Sequence, residues 1–220
     1  GEEEEEHYAD VSCGVLERSS APDVDFSPCA MPSKAGGKPV WLALDGLPTA
    51  DMLACPSCHV PMVFLLQLQS SIARPDDDAF YRAVYVFCCK SCNRYTALRC
   101  QLPDRNPYYQ PECTGTAEAP SPLKPTAPRE ATCQVCGCAG TKTCSRCHAA
   151  HYCCEHHQLL AWRGGHAKVC GRSTPPAGAA AGEQDIDDQG LKFPEYVIAS
   201  VDEPDHDEPD PALDRRIREL

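Results

Sequence analysis

No apolar run in this sequence is long enough to cross a membrane: the longest, "VPMVFLL" at 60–66, falls far short of the roughly 20 residues a spanning helix needs. The N-terminal "GEEEEEHYAD" has none of the apolar core of a secretory signal. No block of Lys and Arg is present either, and the formal net charge is −12. The phosphate-neutralising surface of a dedicated nucleic-acid binder is therefore not expected. Strong hydrophobicity is missing as well. With 21 prolines in 220 residues and a mean hydropathy of −0.40, much of the chain cannot be core, and small folded modules on linkers are the expected organisation.

The acidity belongs to the two ends. Residues 1–10 carry a net charge of −6 and residues 183–220 a net charge of −9, which leaves the stretch 11–182 at +3. Blocks of this kind read as solvated tails, or as a screen for a basic partner.

Cysteine, by contrast, is abundant: 17 residues, several in Cys-x2-Cys pairs. Such pairs favour zinc and a reducing compartment over disulfides. After "ACPSC" at 54–58, Val60, Met62, Phe64, Leu66 and Leu68 alternate, which predicts a strand leaving a Cys-x2-Cys turn with those five residues on one face. A second strand, "FYRAVYVFCCKSC", likewise runs into cysteines. Two turns at strand ends, each presenting two thiolates, make a zinc ribbon of Cys55, Cys58, Cys89 and Cys92. Cys88 is one residue off that spacing and faces the sheet. The intervening residues accommodate a hairpin with the acidic loop "RPDDDAF" at its tip. Upstream, "VSCGVLERSS" reads as a short strand, and "PSKAGGKPVWL" as a tight Gly-Gly turn feeding a strand that "LDGLP" closes.

Seven prolines between 103 and 130 predict a semi-extended linker and a domain boundary. The expected division is an acidic tail at 1–10, a β-rich N-terminal domain at 11–102, the Pro-rich linker at 103–130, a metal-binding finger at 131–172, a flexible linker at 173–190 and the start of a C-terminal region at 191–220. That last part holds a strand-like "LKFPEYVIASVDEP" and a short helix, "DPALDRRIREL".

In the finger the donors are Cys133, Cys136, Cys144, Cys147, Cys153, His157, His166 and Cys170. Eight soft or borderline donors make two tetrahedral zinc sites, and spacing alone permits sequential or interleaved filling. So short a segment, with few large apolar groups beyond Tyr152, Leu159, Leu160, Trp162 and Val169, cannot fold by burial alone. Structural zinc supplies about 10–16 kcal/mol per site. Cys153 with His157, and His166 with Cys170, are i, i+4 pairs on one helical face. Gly164 and Gly165 break the helix between them, and Trp162 reads as an apolar plug. His151 and His156 are spectators by spacing, while Cys13, Cys29, Cys88, Cys100, Cys113, Cys138 and Cys154 read as small apolar or surface residues.

"YCCEHHQ", followed by Trp162, His166 and Cys170, resembles the helical half of a MYND-type zinc finger, with His157 standing where most such fingers have cysteine. The resemblance implies interleaving: Cys133, Cys136, Cys153 and His157 at one zinc, Cys144, Cys147, His166 and Cys170 at the other. Taken with "CQVCGCAGTKTCSRCH", "PSKAGGKPVWL", "ACPSC", "FCCKSC" and "FPEYVI", it extends over about residues 8–201 and resembles the programmed cell death protein 2 family. The fold so implied is a small α+β, zinc-dependent protein. Its β-rich N-terminal domain with a zinc ribbon is joined by the Pro-rich linker to a MYND-type ββα/αα zinc finger. Two Zn2+ ions are implied in the finger and a third in the ribbon. The family's C-terminal half, with its own Cys-rich knuckle, is expected to follow "FPEYVI". Family members act as dedicated chaperones of a basic small-subunit ribosomal protein, the universal S-five type called S-two in eukaryotes, in 40S ribosome biogenesis. They have also been placed in cell death and transcriptional regulation.

Catalysis is not expected. Catalytic zinc needs an open coordination position, whereas protein fills all four positions at each finger ion. A Cys154 nucleophile has no readable oxyanion framework or orienting group. The Asn-His-Ser-Cys signature of the methyltransferases in which MYND fingers also occur is missing. The expected protein is a monomeric, non-enzymatic chaperone of the cytoplasm and also the nucleus. It holds its basic client in a β-rich groove and contacts other proteins through the finger, with no direct nucleic-acid or membrane binding. The other expectation is a MYND adaptor for Pro-rich peptides in transcriptional or cell-death complexes. The chain's own "SPLKP" approaches such a ligand but has Ser121 at the first proline position.

Overall fold

A computed structural model describes residues 12–18, 32–70, 78–109, 124, 126–171 and 191–202. Both acidic tails, the linker at 173–190, the middle of the Pro-rich stretch with "SPLKP", most of the acidic loop, the helix expected in "DPALDRRIREL", and Cys29 and Cys113 lie outside the described residues. The strands are β1 (Ser12–Arg18), β2 (Lys34–Ala35), β3 (Val63–Gln69), β4 (Tyr81–Cys88), β5 (Tyr95–Leu102), β6 (Lys142–Thr143), β7 (His151–Tyr152) and β8 (Tyr196–Asp202). Two short helices, α1 (Glu155–Ala161) and α2 (Ala167–Val169), flank a wide turn at Trp162–His166. The described part of the chain is thus β-rich with little helix. No helix in it is long and apolar enough to cross a membrane.

Six strands form one antiparallel sheet in the order β1-β8-β2-β3-β4-β5. β4 shows why: Tyr81, Ala83, Tyr85 and Phe87 alternate into the core, and Trp41 packs on both Tyr85, at 4.5 Å between ring centroids, and Phe87, at 6.2 Å. The strand expected after "ACPSC" forms, but its single apolar face does not persist. A bulge between Phe64 and Leu66 reverses the alternation. Met62 and Phe64 face the core, whereas further along Gln67 is buried and Leu68 is exposed.

The apolar run Val40-Trp41-Leu42 is buried, as an interior strand would be, yet belongs to no strand. Side chains replace the missing ladder. Val40 N–H donates to Gln67 Oε1 (2.7 Å) and Leu42 N–H to the Tyr85 hydroxyl (2.7 Å), while the Val40 and Leu42 carbonyls accept from the hydroxyls of Tyr85 (3.1 Å) and Tyr109 (2.8 Å). A buried coil is tolerated because its polar groups are paired in this way. Burial also pushes the Tyr85 hydroxyl well above the ordinary tyrosine range.

Two expected boundaries are corrected. The strand expected to begin a separate region at 191–220 is β8, which lies between β1 and β2 and pairs with both. The finger is therefore an insertion in the sheet's chain. The stretch expected as a linker at 103–130 is anchored at both described ends. Tyr108, Tyr109 and Ala127 are part of the sheet's core, and the Glu130 carboxylate accepts from the N–H groups of Gly46 (3.1 Å) and Leu47 (3.2 Å).

The Gly-Gly turn has a specific partner. Gly36 and Gly37 have φ of +69° and +66°, and a Cβ on them would lie 1.9 Å from the Pro194 carbonyl oxygen and 2.3 Å from the Glu195 carboxylate respectively. Only glycine lets the backbone wrap so closely around 193–195. Gly37 N–H donates to the Phe193 carbonyl (3.0 Å), and buried Lys34 pairs with Glu195 and donates to the Lys38 carbonyl (2.8 Å). "PSKAGGKPVWL" and "FPEYVI" are thus two halves of one contact.

Candidate metal centres

Three groups of four donors converge, each with all ligand atoms within 4.8 Å of one another: Cys55, Cys58, Cys89, Cys92; Cys133, Cys136, Cys153, His157; and Cys144, Cys147, His166, Cys170. The finger's donors are therefore brought together in the interleaved arrangement. Individual separations are 3.6 Å for Cys58–Cys89, 3.6 Å for Cys136–Cys153, 3.6 Å for Cys133 Sγ to His157 Nδ1, 3.8 Å for Cys144–Cys170 and 3.4 Å for Cys144 Sγ to His166 Nε2. Tetrahedral zinc with Zn–S bonds of about 2.3 Å and Zn–N bonds of about 2.0–2.1 Å places donors roughly 3.4–3.8 Å apart; Cys153 Sγ and His157 Nδ1 are closer, at 3.0 Å. Donor chemistry and spacing both fit zinc, and with four protein donors each the centres are closed.

Local structure places the donors. In each of the four Cys-x2-Cys turns the residue after the second cysteine is left-handed: His59 (φ 58°), Asn93 (φ 48°), Gly137 (φ 77°) and His148 (φ 55°). In three of them that residue's N–H bonds back to the first cysteine's carbonyl, at 2.8 Å for His59, 2.9 Å for Gly137 and 2.9 Å for His148. The reversal curls both sulfurs to one side; glycine, asparagine and histidine are residues that adopt it at modest cost. The ribbon knuckles sit before β3 and between β4 and β5, and Arg94 Nε donates to Ser57 Oγ (3.2 Å) across them. In the finger, Cys153 precedes α1, which carries His157. Gly165 at φ 138° kinks the turn so that His166 and Cys170 face the other centre.

Hydrogen bonds prepare the sulfurs for a cation. The Cys58 N–H, against burial, holds the Cys55 thiol down to about 7. At Cys144 burial opposes ionisation, but the Cys147 N–H and the His166 ring outweigh it and hold the thiol down to about 6. Crowding does the opposite to their neighbours. The hydrogen bond with Cys58 and burial push Cys92 up to about 12, and the sulfurs of Cys133 and Cys136 push Cys153 far above the thiol range. A cation is what lets all of them ionise together.

Among the spectators, Cys13 is exposed, Cys88 buried, and Cys100 half-buried against the sheet's core. The fifteen described cysteines carry free thiols. Trp162 is not the expected plug: it is 39% exposed and meets His166 edge-on at 5.9 Å, while Tyr152 and Ala161 fill the finger's interior. Ligand spacing gives no sign of Trp41, whose Nε1 donates to the Gly137 carbonyl (2.7 Å), or of Ala139, whose N–H donates to the Pro48 carbonyl (3.0 Å). Both dock the finger on the sheet. A tryptophan inside the apolar run that follows a Gly-Gly turn was the available signal.

Residues 10–116 match the family model described as "Programmed cell death protein 2, N-terminal domain", and residues 133–170 match the one described as "MYND finger". Fold, centres and matches define a β-rich protein that carries a MYND finger, a protein-interaction module, together with Cys/His clusters suited to zinc. Programmed cell death protein 2 of Bos taurus is 39% identical over 187 residues, covering 78% of this chain and 51% of that protein; that of Mus musculus is 39% identical over 181 residues, covering 78% and 50%. The chain belongs to the programmed cell death protein 2 family, and it spans about half the length of the curated relatives it matches. No solved structure matches it.

Proposed function

We propose that this protein is a zinc-stabilised, non-enzymatic chaperone dedicated to a basic small-subunit ribosomal protein of the universal S-five type, eukaryotic S-two, and that it supports 40S biogenesis in the cytoplasm and nucleus. The observation that carries the reading is the closure of all three metal centres, each with four protein donors. Such centres shape a surface and leave no position for substrate. The three zinc ions brace one end of the sheet and the finger, so that a client meets a rigid face. Acidic ends of net charge −6 and −9 screen the client's Lys and Arg. Capture of the newly made ribosomal protein by the full chain, weakening as salt rises, is the expected result. Equal capture by a chain lacking residues 30–102 overturns the reading.

A second reading, a MYND adaptor for Pro-rich peptides, is favoured by one feature. Leu159 and Trp162, 46% and 39% exposed, form an apolar strip on the finger's helical side. It predicts that Cys144→Ser abolishes partner binding while disruption of the sheet does not.

A further inference from the structure

The six-stranded sheet ends at β1 on one side and at β5 on the other. Edge strands ordinarily carry devices against further pairing: short length, proline, lysine or a bulge. β5 carries none of them. It runs for eight residues without proline, glycine or lysine, and its register against β4 is unbroken from Tyr95 to Leu102. β1, by contrast, has Gly14 near its middle, which weakens a strand.

The phase of the ladder shows which groups of β5 face outward. Cys89 N–H donates to the Arg94 carbonyl (2.8 Å), and on the far side of β4 Ser70 N–H donates to the Arg82 carbonyl (2.8 Å). Bonded and non-bonded pairs alternate along an antiparallel ladder. Thr96, Leu98, Cys100 and Leu102 therefore bond to β4, while Tyr95, Ala97, Arg99 and Gln101 turn their N–H and C=O groups away from the sheet. Among the described residues no group bonds to those outward backbone atoms. The side chains add a second property. Leu98, Cys100 and Leu102 are half-buried against the sheet's core, whose rim is open beside them, whereas Tyr95, Ala97 and Arg99 stand exposed on the other face.

We propose that the outer edge of β5 receives a seventh strand from another protein: an extended segment, apolar opposite Leu98 and Cys100, where it continues the core, and with a carboxylate opposite Arg99. Main-chain hydrogen bonds supply the affinity of such an added strand, and its alternate side chains the selectivity. Charge decides the kind of partner. Arg99 is the one charged residue of β5, and opposite charges across a strand pair stabilise where like charges destabilise. The β5 of a second copy brings another arginine and no carboxylate, so an acidic segment of alternating pattern fits where a copy of this chain does not. The edge is available whether or not the client is a ribosomal protein.

The test selects a display library of random ten-residue peptides on the zinc-loaded full chain, and the peptide so obtained is the probe. Expected are apolar residues at alternate positions with Asp or Glu on the opposite face. Binding is expected to protect the amides of Tyr95, Ala97, Arg99 and Gln101 from exchange, while those of Thr96, Leu98, Cys100 and Leu102 are protected already. Ala97→Pro removes one outward N–H and no bond to β4, a place where an edge strand tolerates proline. It is expected to weaken binding at least fivefold, and Arg99→Glu to prefer, by at least fivefold, the same peptide with Lys in place of its acidic residue. No alternating peptide selected, smaller effects of either substitution, or new protection confined to β1 or the finger overturns the proposal. So does protection of the four outward amides in the free chain, which would mean that a second copy or another segment of this chain already holds the edge. The amide pattern is read on the unaltered chain, so it decides the question even where the proline variant does not fold.

Discussion

The sheet and the finger are neighbours built on different physics. The sheet's core gathers Trp41, Leu42, Phe64, Tyr81, Tyr85, Phe87 and Tyr109, large apolar surfaces from strands and coil far apart in sequence. Of the eight buried residues in the finger's core, four are cysteine ligands and two are alanines. Burial stabilises by area, at about 25 cal/mol per Å², and alanines bring little of it. In the sheet, a metal held by Cys55, Cys58, Cys89 and Cys92 would fasten one end of a structure that burial maintains. In the finger the metal takes the place of the core. The difference shows why one chain spends its cysteines unevenly: eight finger ligands lie within residues 133–170, whereas the stretch 55–92, of the same length, supplies four.

Removing metal tests the comparison most severely. A strong chelator is expected to abolish amide-exchange protection across 131–171, a loss on the scale of about 10–16 kcal/mol per centre. Under the same treatment β3, β4 and β5 keep protection outside the knuckles. Equal loss in both regions would mean that the sheet, too, is held by metal. Next in size is Phe87→Ala, expected to lower stability to chemical denaturant by about 3–5 kcal/mol while leaving the finger's zinc stoichiometry unchanged. Two glycines sharpen the contrast between backbone strain and collision. Gly46→Ala, at φ +61° with open space around it, is expected to cost roughly 1–2 kcal/mol. Gly36→Ala must cost more in the same denaturation assay, since its Cβ meets the Pro194 carbonyl.

A smaller effect is expected at the Lys34–Glu195 contact. Glu195→Gln leaves the Lys34 charge buried without its counter-charge, and about 1–3 kcal/mol is expected after allowance for the partial exposure of Glu195. Lys34→Met, which removes the charge as well, should cost less than Glu195→Gln; the reverse order would show that the pair itself stabilises. Smallest is His148→Gly, which relieves a left-handed histidine at φ 55° and is expected to raise the finger's melting temperature slightly, by about 1 kcal/mol or less of added stability.

The candidate centres were legible because a zinc ligand set is written in short spacings. Cys-x2-Cys turns and i, i+4 helical pairs are local, and the structure gathers the same donors into three fours. Which pairs share an ion was not legible, because that depends on the Gly165 kink and on how β6 and β7 turn the chain. The sheet's strands at 63–69 and 81–88 announced themselves by alternation. Their continuation did not. A single bulge exchanged the roles of Gln67 and Leu68, and the apolar run at 40–42 found its hydrogen bonds in side chains from 67, 85 and 109, which leave no local trace. The place of β8 was hidden for the same reason: pairing across the whole length of a chain has no periodicity to read.

That place has a consequence for synthesis on the ribosome. β5 ends at Leu102, but the strand that joins β1 to β2 is complete only at Asp202. Translation of the intervening stretch at about 5–20 residues per second takes roughly 5–20 s. Throughout that interval the nascent β2 edge stands unpaired, and every finger ligand emerges before the sheet can close. All the finger's donors are therefore available to metal before the sheet can close, with β8 arriving last to seal the edge.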